Sequence, residues 1–203
     1  AAYALPIIFA ITVHEAAHGY AARYFGDMTA HYLGRISLNP LKHIDPVGTI
    51  ILPALTVMLG GILFGWAKPV PVNFNNLRNP KKNMLWVALA GPFSNLLMAI
   101  FWTFLFARLQ FFPDNSIFFL SAMALAGIQI NLILMVLNML PIPPLDGGRV
   151  AVSLLPYPWS SYVENLERYG LFIIIFLLFS GVLGNILFPL INSSKSIIFS
   201  IFG

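Results

Sequence analysis

Residues 12–20 read TVHEAAHGY, with two histidines four apart and a glutamate directly after the first. On an α-helix, residues four apart stand on one face, so His14 and His18 can aim two imidazoles at one cation. Glu15 lies about 100° round the helix, beside that cation rather than on it. This is the HExxH arrangement, two zinc ligands plus a general base that takes a proton from water. The alternative is a pair of core histidines with a buried glutamate. Against it stands cost: charged groups at the centre of a bilayer cost about 2.5–3.5 kcal/mol on the insertion scale, and ionisable groups there mark function. Ala16, Ala17 and Gly19 are small enough to let another helix or a substrate approach closely, or simply to pack.

A catalytic zinc site takes three protein ligands and keeps a position for water. Asp146 stands out as the third. It sits in NMLPIPPLDGGRV, residues 138–150, where three prolines end a long apolar run and two glycines follow. Prolines free backbone carbonyls, and broken helices at membrane depth are tolerated where they line a cavity. An aspartate at such a break can be aimed at a metal, or it can cap the short helix expected over 147–155. His43 and Asp45 in KHIDP lie in a polar segment, where a surface role, a second metal or a cover for the cleft are all open.

These residues need a scaffold inside lipid. Of the 203 residues, 59% are hydrophobic and 9% charged, against about a quarter charged in soluble domains. Mean hydropathy is +0.83. Four long charge-free runs, 46–67, 83–107, 115–145 and 169–194, meet the roughly 20 residues that span a bilayer, and 1–22 would be a fifth but for the trio. No cationic stretch precedes 1–22, so it does not read as a signal peptide, and the missing initiator Met leaves room for earlier sequence. With no cysteine, disulfides and thiolate metal sites are excluded. Nothing points to nucleic acid as a partner; the lipid bilayer is one. A single membrane-embedded domain over 1–203 is expected, all-α and polytopic.

HEAAH together with NMLPIPPLDGG resembles the site-2 protease family of intramembrane zinc metalloproteases. SLNPLKHIDPVGT (37–49) and ALAGPFSNLL (88–97) are similar to further segments of its bacterial and archaeal members. The resemblance runs from about residue 7 to 150. It implies one Zn²⁺ per chain held by His14, His18 and Asp146, Glu15 as catalytic acid and base, and Asn95 and Asn138 as polar residues that hold the substrate backbone. It also implies a single-pass transmembrane protein as substrate. The alternatives are a zinc transporter or metal sensor, since intramembrane His and Asp suit ion paths too, and an inactive relative that binds helices without cutting.

Charge and geometry constrain the topology. If all five stretches cross, the two sides carry five and six cationic residues, and Asp146 falls on the opposite face from His14 and His18. If 46–67 dips in and returns, 23–82 and 146–168 share a side that holds nine of the 11 Lys and Arg, and Asp146 rejoins the histidines. The positive-inside rule then gives four crossings of the cell membrane with the metal toward the cytoplasmic face. His14 is nine residues from Arg23, about 13 Å along a helix. MTAHYLGRISL and AKPVPVNF are predicted as short cytoplasmic-side β strands, the second with prolines suited to an edge that could receive an extended substrate.

Overall fold

The computed structural model describes residues 2–51, 54–55, 58, 65–111 and 117–202. Within them the chain is helical: α1 (Ala4–Tyr24), α2 (Thr29–Tyr32), α3 (Pro80–Leu109), α4 (Phe118–Asn138), α5 (Asp146–Leu154), α6 (Trp159–Asn165), α7 (Glu167–Phe179) and α8 (Val182–Phe202), with short 3₁₀ turns at Pro40–His43 and Phe74–Asn76 and a π-helical turn at Pro46–Ile51. Among the described residues three helices, α3, α4 and α8, are long and apolar enough to cross a membrane. The protein is a multi-pass membrane protein.

The three long helices pack through a core of Ala99, Trp102, Ala124, Ile128, Leu132, Val136, Ile191 and Ile198. Trp102 lies against Gly127, where a Cβ would come within 2.4 Å of its ring. α1 fits against α3 and α4. It ends where Gly26 takes φ +113°, a backbone region open to glycine, and Arg78 donates to the freed Tyr24 carbonyl at 2.6 Å.

Two expectations change. Among the described residues there is no β strand: 29–32 is a helical turn, and 65–73 is neither helix nor strand. Pro69 and Pro71 remove two of the N–H groups that a ladder needs, and the segment is bonded to α1 and to its preceding loop instead. The apolar run 169–194 is not one helix. It breaks at Ser180–Gly181, with Gly181 at φ +74° and its N–H returned to Leu178 O at 3.2 Å. Of its two helices, α8 is the one long and apolar enough to cross a membrane. Much of 46–67 lies outside the described residues, but its ends meet: Trp66 N–H donates to Gly48 O at 3.0 Å, Thr49 Oγ1 to Trp66 O at 2.9 Å, and Lys68 N–H to His43 O at 2.9 Å.

Asp27 secures the returning segment. It is fully buried, and its carboxylate accepts from Asn73 N–H at 2.7 Å, Asn76 Nδ2 at 3.2 Å, Thr29 N–H at 3.0 Å and Thr29 Oγ1 at 2.5 Å. Burial pushes its pKa up, but the hydrogen bonds from Thr29, Asn73 and Asn76 outweigh burial and hold it below the ordinary value. A depressed folded pKa gives stability that is present above the unfolded value, about 3.9, and lost as pH falls through the folded one. Thermal unfolding of wild type against Asp27→Asn in detergent is therefore expected to show a stability gap at neutral pH that narrows below about pH 4. A pH-independent gap would assign the effect to shape rather than charge.

Candidate metal centre

α1 presents His14 and His18 on the face turned to α3. Their Nε2 atoms lie 3.1 Å apart. Asp146 Oδ2 is 3.3 Å from His14 Nε2, and Asp146 Oδ1 is 3.3 Å from His18 Nε2. His14 is buried and the other two nearly so, with side chains 12% and 17% exposed. Among the described residues this is the group of His, Asp and Glu side chains whose ligand atoms converge, all within 4.8 Å of one another.

The protons are committed elsewhere. His14 Nδ1–H donates to Asn95 Oδ1 at 2.5 Å, and His18 Nδ1–H donates to Val87 O at 2.8 Å. An imidazole with its single proton on Nδ1 carries a lone pair on Nε2, and here both Nε2 atoms face each other and a carboxylate. Asp146 Oδ2 is buried with no hydrogen-bond donor. Three acceptors without a shared proton repel, unless a cation lies between them. Tetrahedral ligands at about 2.0–2.1 Å stand roughly 3.3–3.4 Å apart, close to the spacing here. Gly91 of α3 completes the cradle: a Cβ there would lie 2.4 Å from His18 Nε2 and 2.7 Å from His14 Nε2. The residues fit a zinc ion.

Asp146 reaches this point because the 139–145 turn folds back on α5. It is the first residue of α5, after Leu145 at the N-cap, and its side chain caps nothing. A Cβ at Gly147 would strike Leu140 O at 2.2 Å, and one at Gly148 would meet Pro143 N at 2.5 Å; only glycines let the turn lie so close. Arg149 holds α5 from behind, paired with Glu167 and stacked 5.0 Å over Phe74.

Glu15 is directed at the returning segment, its Oε2 accepting from Val70 N–H at 2.7 Å. Val70 lies between Pro69 and Pro71, which have no N–H, so it is the sole backbone donor of that tripeptide. Asn95 is fully buried, and its polar groups go to His14, to Ala10 O at 3.3 Å and to Asn131 Oδ1 at 2.9 Å. Asn138 ends α4 with Nδ2 bonded to Leu134 O at 3.0 Å, and no bond among the described residues joins it to the ligands. His43 is buried with Nε2–H donating to Ser37 O at 2.8 Å. Asp45 accepts from Val47 and Gly48 N–H. Neither joins the metal group.

The donor set is one that suits a zinc ion, and comparison with known proteins gives the class of protein. The chain belongs to peptidase family M50, the site-2 proteases, whose profile matches residues 113–181, and it is a zinc-dependent endopeptidase. YwhC of Bacillus subtilis (strain 168) is 37% identical across 98% of this chain and 89% of its own length. Rip2 of Mycolicibacterium smegmatis is 32% identical across 91% of this chain and 69% of its own, and MJ0611 of Methanocaldococcus jannaschii 29% across 78% and 73%. All three are named as zinc metalloproteases. No solved structure matches the chain.

Proposed function

We propose that this chain hydrolyses a peptide bond in or near the transmembrane segment of a single-pass membrane protein, at a site near the cytoplasmic face of the cell membrane. The observation that carries the reading is the convergence of His14 Nε2, His18 Nε2 and the Asp146 carboxylate at contacts of 3.1–3.3 Å, with Glu15 next in sequence. His14, His18 and Asp146 would hold one zinc. A zinc ion there supplies Lewis acidity, lowering the pKa of water toward about 7 and polarising the scissile carbonyl. Glu15 takes the attacking water's proton and passes it to the leaving amine. The Val70 N–H holds Oε2, which leaves Oε1 to carry the proton. A helical substrate hides its carbonyls in i to i−4 bonds and must unwind locally before attack.

The test is purified protein with a model transmembrane substrate. Cleavage is expected to vanish on zinc chelation and to return with zinc but not magnesium. Cleavage by protein shown by metal analysis to be zinc-free would remove the proposal.

The paired ends of 46–67 support four crossings, since hydrogen-bonded residues 48 and 66 lie on one side of the membrane. Together with the nine-to-two distribution of cationic residues, this favours a single domain with 23–82 and 146–168 in the cytoplasm. The chain has no cysteine, so single cysteines report unambiguously. Those at Asn39 and Asn76 are expected to label from the cytoplasmic side only; labelling from opposite sides would exclude this topology.

A further inference from the structure

The two zinc-site imidazoles are oriented by different means. His18 Nδ1–H donates to the backbone carbonyl of Val87. A carbonyl only accepts, so it fixes the tautomer by itself: proton on Nδ1, lone pair on Nε2. His14 Nδ1 faces a side-chain amide instead. An amide has two ends. Turned round, Asn95 would offer N–H to Nδ1, favour the opposite tautomer and put a proton on the atom that faces the metal.

Asn131 prevents that rotation. Asn95 Nδ2 donates to Asn131 Oδ1 at 2.9 Å, with a longer bond to Ala10 O at 3.3 Å. Asn131 has the same ambiguity and resolves it on Gly127 O, to which its Nδ2 donates at 2.8 Å. Gly127 O is a backbone acceptor and cannot be reversed. The direction of every bond follows from it: Gly127 carbonyl, Asn131 amide, Asn95 amide, His14 imidazole. Both asparagines are fully buried, at 0% exposure, so water does not compete for these groups and an unpaired end would be costly.

We propose that Asn131 is a positioning residue for the metal site: acting through Asn95, it holds His14 with its lone pair toward the zinc. The inference rests on the zinc reading of the site. It assigns a role to a residue of α4 whose hydrogen bonds, among the described residues, go to Asn95 and Gly127 rather than to the ligands.

The test compares Asn131→Val with Asn131→Thr. The two side chains have the same shape, and only threonine has a hydroxyl that can donate to the i−4 carbonyl while accepting from Asn95. Thr103 already makes such a bond, to Ala99 O at 2.9 Å. The readout is zinc affinity of purified protein by chelator competition, independent of proteolysis. Asn131→Val is expected to bind zinc about tenfold or more weakly, in the range lost when an outer partner of a metal ligand is removed, and Asn131→Thr to recover most of the loss. In an Asn95→Leu background the difference between Val and Thr is expected to disappear, because the relay is already cut. Equal affinities for the Val and Thr proteins, or a difference that persists with Asn95→Leu, would overturn the proposal while leaving the zinc reading intact. A wild-type protein that binds no zinc would remove both.

Discussion

Glu15→Gln is expected to lower turnover by about 10²- to 10⁴-fold, the usual contribution of a positioned general acid and base, with one zinc still bound per chain. Glutamine keeps the length of the side chain and an oxygen for the Val70 N–H, so the returning segment stays seated. It cannot take a proton. The ligands His14, His18 and Asp146 make no hydrogen bond to Glu15 among the described residues, so metal binding is spared. The decisive pair of measurements is kcat on a model transmembrane substrate and zinc content of the same preparation. Full turnover would move the proton transfer to another group. Loss of zinc along with turnover would make Glu15 part of the binding site rather than the base. A transporter would behave differently again, since zinc flux into vesicles has no need of this carboxylate.

Gly91→Ala is expected to abolish high-affinity zinc binding, by at least about 100-fold, beyond what loss of an outer partner costs. The added methyl would sit 2.4 Å from His18 Nε2, 2.6 Å from His14 Cε1 and 2.7 Å from His14 Nε2. Contacts that short force one side to move. α3 is held by its packing on α1 and α4, so the imidazoles must turn, and turning breaks their bonds to Asn95 and Val87. Alanine is also the better helix former by about 0.8–1.0 kcal/mol, so the helix itself is not weakened. Circular dichroism unchanged with zinc lost is the expected combination. Wild-type zinc content in Gly91→Ala would mean that α3 does not approach the histidines as described.

Much of the site was legible because it is written in local spacing. His14, Glu15 and His18 lie within one helical turn, and helix periodicity alone faces the histidines together. Asp146 was marked by prolines and glycines that fix a turn whatever surrounds it. What was not legible depends on which helices become neighbours. Asn95 took its expected role from the family resemblance alone, because its sequence context says nothing of Asn131, 36 residues on, or of His14, 81 residues back. Val70 drew attention only through its flanking prolines; that its N–H meets Glu15 is a tertiary fact. No local pattern marks Asp27, which is fully buried. The break at Gly181 lies in an apolar run, and hydropathy does not register a positive φ. The prolines of AKPVPVNF keep it out of a helix, but a strand needs a partner, and here the polar groups of α1 and its following loop take that place.

The three ligand residues are far apart in the chain, with 128 positions separating His18 from Asp146. A metal joining them acts as a clasp on the lateral spacing of elements that are each already stable in lipid, because a membrane helix satisfies its own backbone. Stripping the ion should therefore leave helical content untouched while α1 drifts from the α4–α5 turn, a change that distance measurements between labels on those two elements would register and a far-ultraviolet spectrum would miss.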